Sequence, residues 1–180
     1  CADVNINPQN PVVGVRSFGE NPQLVAELTA AMIEGIQSQG VAATVKHFPG
    51  HGDTASDSHH VLGTVPHSLE RLRAVELPPF TAAFKANAKL VMTAHLGITS
   101  MNGANAPPAT LSPNIINGLL RRDLGFDGVV ITDAMDMKAI RQGELLREES
   151  LRAAKAGADL LLITRNSQDQ IRAFEGLLQG

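Results

Sequence analysis

Short apolar runs alternate along this chain with longer stretches of helical periodicity. Helical patterns are followed by continuous apolar runs four to six residues long. The predicted strands cover residues 41–46, 89–93, 129–132 and 159–163, and residues 1–6 resemble the end of another strand. The predicted helices cover residues 22–39, 68–87, 112–123, 145–156 and a last segment that begins at the capping box of Ser167 and Gln170. Continuous apolar strands separated by helices are typical of a parallel sheet covered by helices.

Polar residues follow several of these strands at the same end, and this decides between two kinds of sheet. Asp3, Lys46, His47, His95 and Asp133 each stand at or just past the end of a predicted strand. Contributions from several strands favour a (β/α)8 TIM-type barrel, whereas an open sheet would concentrate them at one switch point. Because only about five strands are recognised and a barrel needs eight, we expect residues 1–180 to form one partial barrel domain that lacks N-terminal strands.

Composition excludes several classes of protein. The chain has 180 residues, of which 43% are hydrophobic and 18% charged, and a net charge of -3. We therefore expect neither nucleic-acid binding nor a membrane span. The single cysteine, Cys1, excludes an intrachain disulfide. No glycine-rich nucleotide motif is present, so no cofactor is expected. Compartment and oligomeric state stay open.

The densest group of titratable residues lies between Lys46 and His60. It reads Lys46-His-Phe-Pro-Gly-His-Gly-Asp-Thr-Ala-Ser-Asp-Ser-His-His60. A buried strand that ends in a loop rich in glycine and histidine indicates a functional site more than a solvated surface loop.

This motif carries a resemblance to a known family. Together with Val15-Arg-Ser-Phe-Gly19 upstream and Ile131-Thr-Asp-Ala-Met-Asp-Met137 downstream, it resembles glycoside hydrolase family 3, in the branch of the NagZ-type β-N-acetylglucosaminidases. The resemblance runs from Asp3 to about Ile163. It implies a retaining exo-glycosidase that forms a covalent glycosyl-aspartate and acts on a small carbohydrate or a muropeptide from peptidoglycan.

By this resemblance Asp133 is the nucleophile. Its position after an apolar strand agrees, because a rigid strand would aim the carboxylate into a cavity. The alternative is that Asp133 only caps a helix that begins at Ala134. Asp136, three residues later, is expected to face the surface of that helix.

The acid/base that the resemblance implies is His59, oriented by Asp57. An aspartate two residues away can hold the useful imidazole tautomer, and a pKa near 6.5 suits proton transfer at neutral pH. His60 is the competing candidate, but neighbours in an extended segment point apart.

The resemblance also assigns sugar contacts to Arg16, Lys46 and His47. For Arg16 the alternative is an ordinary surface arginine. His51 and Asp53 are expected to brace the loop rather than touch substrate. His95 is expected to be a hydrogen-bonded supporting histidine.

Other functions stay open at this point. A family 3 β-glucosidase or a phosphorolytic relative would share the same motifs. A metal-dependent hydrolase could use His47 and His51 with Asp53, Asp57, His59 and His60, but Pro49-Gly50 prevents the helix that would put His47 and His51 on one face. No metal is therefore expected. A non-catalytic remnant of a larger enzyme is a third possibility.

Overall fold

Two parallel sheets organise the chain in the computed structural model, which describes residues 1–54 and 62–180. The main sheet contains β1 (Thr44–Phe48), β3 (Leu90–Thr93) and β5 (Val129–Thr132), in the order β1-β3-β5. The smaller sheet pairs β2 (Gly63–Val65) with β4 (Leu96–Ile98). All these pairings are parallel, so the carboxyl ends of β1, β3 and β5 meet at one edge.

Helices connect and cover the strands. They are α1 (Pro22–Gln37), α2 (Leu69–Arg71), α3 (Pro78–Lys85), α4 (Thr99–Asn102), α5 (Leu146–Ala156) and α6 (Ser167–Leu178), with wider π-helical segments at Leu72–Glu76 and Asn114–Asp123. Short 3-10 turns occupy Gly14–Arg16, Ala109–Leu111 and Gly143–Leu145. None of the helices within the described ranges has the length and hydropathy needed to cross a bilayer.

Local sequence explains where these helices begin. Asn21 accepts hydrogen bonds from the backbone N–H groups of Gln23 and Leu24, and Pro22 occupies the first turn of α1. Ser68 caps α2 through the N–H of Arg71. Pro78 and Pro79 open α3, because proline is tolerated in a first turn and not in a helix interior.

The main core lies between the sheet and its helices. Val45, Val91 and Val130 from the three strands are buried, and Phe48 packs edge-on against Phe80 of α3 at a centroid distance of 5.3 Å. This burial fixes the strands, so the residues that follow them start from a rigid base.

Parallel β/α units confirm the predicted fold class of a partly covered (β/α)8 barrel. β5 matches its predicted range, and β1 begins and ends later than predicted. The predicted strand at 159–163 is reduced to a single bridge between Leu160 and Ile131. Residues 1–6 form no assigned strand, although Ala2 donates to the carbonyl of Lys46 at 3.0 Å.

Candidate active site

The carboxyl ends of β1, β3 and β5 lie next to several of the predicted site residues. Thr93 is paired with Phe48 on one side and with Thr132 on the other. The N–H of Asp133 donates to the carbonyl of Thr93 at 3.1 Å, and Ala94 donates to Phe48 at 2.7 Å. Residues that follow three different strands are thereby gathered at one edge of the sheet, which is where barrel enzymes place their catalytic groups.

Asp133 is the half-buried carboxylate at this edge. Its Oδ1 accepts from the backbone N–H of Ala134 at 2.8 Å. No helix begins at Ala134, and α5 starts only at Leu146, so the alternative in which Asp133 caps a helix is wrong. Asp133 thus directly follows a strand end, and its role as a nucleophile stays a prediction.

His95 is fully buried beside this aspartate. Its Nδ1 lies 2.8 Å from Oγ1 of Thr110, and its Nε2 lies 3.0 Å from the carbonyl oxygen of Ala134. Burial lowers the pKa of His95 below its ordinary value, against the opposing effect of the Asp133 charge. His95 is therefore a hydrogen-bonded supporting histidine, as its sequence position predicted.

Asp3 organises the start of the His-rich segment from the other side. This fully buried carboxylate accepts from Nδ1 of His47 at 2.8 Å, from the His47 N–H at 3.2 Å and from the His51 N–H at 2.7 Å. Burial alone would raise its pKa, but the charge of His47 and these hydrogen bonds together hold the pKa of Asp3 below its ordinary value. Sequence reasoning placed Asp3 at a strand end and missed this role.

His51 is held by its own neighbours. Its Nδ1 lies 2.8 Å from Oγ1 of Thr54, and its ring meets that of His47 edge-on at 5.9 Å. Burial lowers the pKa of His51, opposed by the charge of Asp3. His51 therefore takes part in bracing the turn, as expected.

A register shift in β1 reorients two predicted sugar-binding residues. Val45 pairs with Val91 but Phe48 pairs with Thr93, so the bulge falls at Lys46 and His47. The Lys46–His47 peptide bond is cis. Bulges often redirect side chains beside active sites. Here His47 is buried against Asp3, whereas Lys46 is half-buried.

Arg16 and Lys46 meet at one cavity of about 260 Å³. Residues 1 and 2, Phe18, α1 and the start of β1 form the rest of its wall. Arg16 is exposed, and its Nε donates to the carbonyl of Val12 at 3.1 Å. Asp133 follows β5, which β3 separates from β1. The structure thus joins two of the three predicted sugar contacts and holds the third, His47, against Asp3.

Asp53, at the end of the glycine-rich turn, is anchored to the chain beyond β2. It accepts from Nε2 of His67 at 2.8 Å and from Arg71 at 3.3 Å. Arg71 also reaches Glu76, at 3.1 Å. The bracing role predicted for Asp53 is confirmed by these contacts.

Glu76 is a buried carboxylate, and its position in a predicted helix did not indicate this burial. Oε2 of this residue has no hydrogen-bond partner among the described residues, and burial raises the pKa of its carboxyl, against the nearby charge of Arg71.

Two groups of metal-ligating side chains come together within the described ranges. They are Cys1, Asp3 and His47, and Asp53, His67 and Glu76. In the first, Asp3 already accepts three N–H donors; in the second, the guanidinium of Arg71 bridges Asp53 and Glu76. Protein donors therefore already contact the carboxylates of both groups, and neither group is the set of residues that the metal alternative named.

Asp136 departs from expectation. It was predicted to face a helix surface, which is wrong: it is buried and accepts from the backbone N–H groups of Thr164 at 3.0 Å and Arg165 at 2.6 Å. The carboxylate thereby ties the turn after β5 to the segment that follows Leu160. A buried acid that satisfies backbone donors cannot be distinguished by sequence pattern from an exposed helix acid.

Gly52 marks a close approach of two backbones. A Cβ at this position would lie 1.9 Å from the carbonyl oxygen of Val4. Glycine therefore lets residues 3–5 run directly against the turn that His47 and His51 occupy.

The remaining predicted residues, Asp57, His59 and their competitor His60, lie outside the described residues. The acid/base assignment stays a prediction.

Comparison with known proteins gives consistent matches. The family described as "Glycosyl hydrolase family 3 N terminal domain" matches residues 1–179. A "Beta-hexosaminidase A" of Pseudoalteromonas piscicida is 39% identical over 186 residues, which cover 96% of this chain and 31% of the relative.

Solved structures agree. A glycoside hydrolase family 3 beta-N-acetylglucosaminidase from Paenibacillus sp. str. FPU-7 superposes with a TM-score of 0.95 at 50% identity, covering 99% of this chain and 34% of that one. Beta-glucoside phosphorylase BglX superposes with a TM-score of 0.90 at 26% identity, covering 99% of this chain and 33% of that one. The chain therefore spans about a third of the length of these proteins.

Proposed function

Because the chain belongs to glycosyl hydrolase family 3, in its N-terminal domain, we propose that the intact protein is a retaining exo-glycosidase that releases terminal β-linked N-acetylglucosamine. Residues 1–180 would form part of its catalytic barrel domain. The observation that carries the proposal is the position of Asp133, a half-buried carboxylate at the carboxyl end of a parallel strand, among buried histidines. The choice of sugar rests on 50% identity to a β-N-acetylglucosaminidase, against 26% to a β-glucoside phosphorylase.

In the first step a carboxylate oxygen of Asp133 attacks the anomeric carbon. The bond from that carbon to the leaving oxygen breaks, and the electron pair goes to this oxygen, which takes a proton from the imidazolium of His59. Asp57 orients the imidazole. In the second step neutral His59 takes a proton from water as the water oxygen attacks the anomeric carbon and releases Asp133.

Lys46, His47 and Arg16 bind the sugar in this proposal. The bond from Asp3 to Nδ1 of His47 supports a defined role for His47, because it fixes the ring and directs Nε2 away from Asp3. The cavity shared by Arg16 and Lys46 supports a contribution from both cations.

The natural substrate we propose is a muropeptide or a related peptidoglycan fragment that carries terminal N-acetylglucosamine. Relatives named beta-hexosaminidase in bacteria support this class of carbohydrate. A sugar with a bulky aglycone also suits an exo-acting site, which needs to enclose only the terminal ring.

Activity on aryl glycosides tests the proposal. The intact protein should release p-nitrophenol from the β-N-acetylglucosaminide far faster than from the β-glucoside, and Asp133→Asn should abolish turnover without unfolding the protein. Activity of Asp133→Asn within tenfold of wild type, or equal rates on the two glycosides, would contradict it.

A β-glucoside phosphorylase is the second candidate, supported by the superposition on BglX. Phosphate should then accelerate the reaction and yield a sugar 1-phosphate. Rates and products that do not change between phosphate and a non-phosphate buffer of equal ionic strength exclude it.

A further inference from the structure

We propose that His95 is a positioning residue for Asp133, which holds the turn that carries the nucleophile by fixing the carbonyl of Ala134. The inference rests on the proposed function, in which Asp133 attacks the sugar. His95 itself does not act as an acid or a base in it.

The hydrogen bonds of His95 define its tautomer. Its Nε2 lies 3.0 Å from the carbonyl oxygen of Ala134, and a carbonyl only accepts, so Nε2 carries the proton. In the neutral ring Nδ1 is then an acceptor, and the hydroxyl of Thr110 at 2.8 Å is its donor. Burial lowers the pKa of His95, which agrees with a neutral ring.

Thr110 is fixed in turn by β3. With its own hydrogen directed at His95, Oγ1 of Thr110 accepts from the hydroxyl of Thr93 at 3.0 Å. Thr93, Thr110 and His95 are all fully buried. A chain of hydrogen bonds therefore runs from the end of β3 through Thr110 and His95 to Ala134, in surroundings where water cannot replace any member.

The other end of this chain is the turn of the nucleophile. Asp133 donates its N–H to the carbonyl of Thr93 at 3.1 Å and accepts from the N–H of Ala134 at 2.8 Å. Met135 donates to Leu162 at 2.8 Å. The carbonyl of Ala134 also accepts from the N–H of Met137 at 3.0 Å, but that donor belongs to the same turn. His95 is the side chain that ties this carbonyl to the chain beyond β3. Without it the turn after β5 could shift as a unit, and the N–H of Ala134 that orients the carboxylate of Asp133 would shift with it.

This arrangement separates positioning from proton transfer. Both ring nitrogens of His95 are bonded to protein groups, so neither is available to a leaving oxygen. A displaced nucleophile slows its attack on every substrate, whereas loss of a general acid mainly slows substrates with poor leaving groups. Displacement of reacting atoms by about 1 Å can reduce a rate about 100-fold.

The test compares three variants of the intact protein on two substrates. His95→Ala removes the contact, His95→Gln offers an amide N–H in place of Nε2, and Thr110→Val keeps the ring but removes the donor to Nδ1. The substrates are p-nitrophenyl β-N-acetylglucosaminide and a disaccharide with the same terminal sugar. Ile116→Val, in the core and within the segment Asn114–Asp123, is the control for a general loss of stability.

We expect His95→Ala to lower kcat about 10- to 100-fold on both substrates alike, with KM within about twofold. His95→Gln should recover a substantial part of that loss, and Thr110→Val should fall between them. Ile116→Val should lower the melting temperature and leave kcat unchanged.

Two results would overturn the inference. An unchanged kcat in His95→Ala would make the residue merely structural, and a loss confined to the disaccharide would make it a proton donor. If His95→Ala does not fold, His95→Gln and Thr110→Val are judged by the same criteria. A wild-type protein inactive on both substrates, or an active Asp133→Asn, defeats the proposed function instead.

Discussion

Asp3 and Glu76 are two carboxylates buried against the same turn, and burial affects them in opposite ways. Asp3 is 0% exposed and Glu76 is 1% exposed. Asp3 contacts the turn through His47 and His51, and Glu76 packs where a side chain at Gly50 would lie. Yet the pKa of Asp3 is lowered and that of Glu76 is raised.

Hydrogen-bond donors account for the difference. Both oxygens of Asp3 accept from N–H groups of His47 or His51. Glu76 has Arg71 on one oxygen, while the other has no partner among the described residues. Burial penalises both anions, so the number of donors decides which carboxyl keeps its charge. The surroundings of Asp3 therefore stabilise its charged form, whereas those of Glu76 favour its neutral form.

The largest effect should come from Asp3→Ala. The variant leaves the N–H groups of His47 and His51 buried without an acceptor, and breaking a buried charged pair typically costs about 3–5 kcal/mol. Urea unfolding should show a loss of this size, together with a strong fall in glycosidase activity because His47 is no longer fixed. A loss below about 1 kcal/mol would mean that water or another group replaces the carboxylate.

Asp3→Asn should have an intermediate effect. The side chain keeps its shape but exchanges an acceptor oxygen for an NH₂ group that faces N–H donors, which costs about 1–3 kcal/mol. The same urea titration measures it. Stability equal to wild type would show that charge contributes nothing at this position.

Glu76→Gln should cost less than about 1 kcal/mol. Glutamine still accepts from Arg71 through its amide oxygen and removes a charge that burial disfavours. Its unfolding midpoint should lie close to wild type and above that of Asp3→Asn. A larger loss than in Asp3→Asn would reverse the comparison between the two carboxylates.

The smallest effect is a difference in pH dependence. The folded-state pKa of Asp3 lies below 3.8. As pH falls, the unfolded chain therefore takes up a proton at this carboxyl before the folded protein does. The stability that Asp3 contributes is consequently lost as pH falls below about 4. The folded-state pKa of Glu76 lies above 4.5, so stability is lost as pH rises through and beyond that value. Free energies of unfolding should therefore be measured between pH 3 and 7. As pH rises, the stability of Glu76→Gln should increase relative to wild type, and that of Asp3→Asn should decrease relative to wild type. Parallel curves would contradict both assignments.

Sequence predicts the elements here better than their long-range contacts. The run at 129–132 matches β5 because four apolar or β-branched residues are bounded by Gly128 and Asp133. Residues 69–85 are helical apart from Leu77, close to the predicted range of 68–87, and α3 begins at Pro78 because proline cannot continue the preceding segment. The three-residue strands β2 and β4 escaped prediction, because so short a run carries too little periodicity.

The site shows the same limit. The prediction for Asp133 rests on a strand end and those for Lys46 and His47 on family motifs, because both signals depend only on local order in the chain. The contact of Asp3 with His47 joins residues 44 positions apart, and that of Thr110 with His95 depends on a turn that folds back over β3. Nothing in the local pattern distinguishes Glu76 from a surface acid, because burial is decided by the turn that packs against it.

Gly52 limits which positions of this site can be changed in laboratory evolution. The turn can lie against the carbonyl oxygen of Val4 only because glycine has no side chain. In a random library that includes position 52, most variants would need a displaced backbone, because even the Cβ of alanine needs space that the neighbouring carbonyl occupies. Thr54, which only supports His51 and Asn10 through its hydroxyl, has conservative replacements such as serine. Position 54 therefore tolerates substitution better than position 52, and Gly52 is best held invariant.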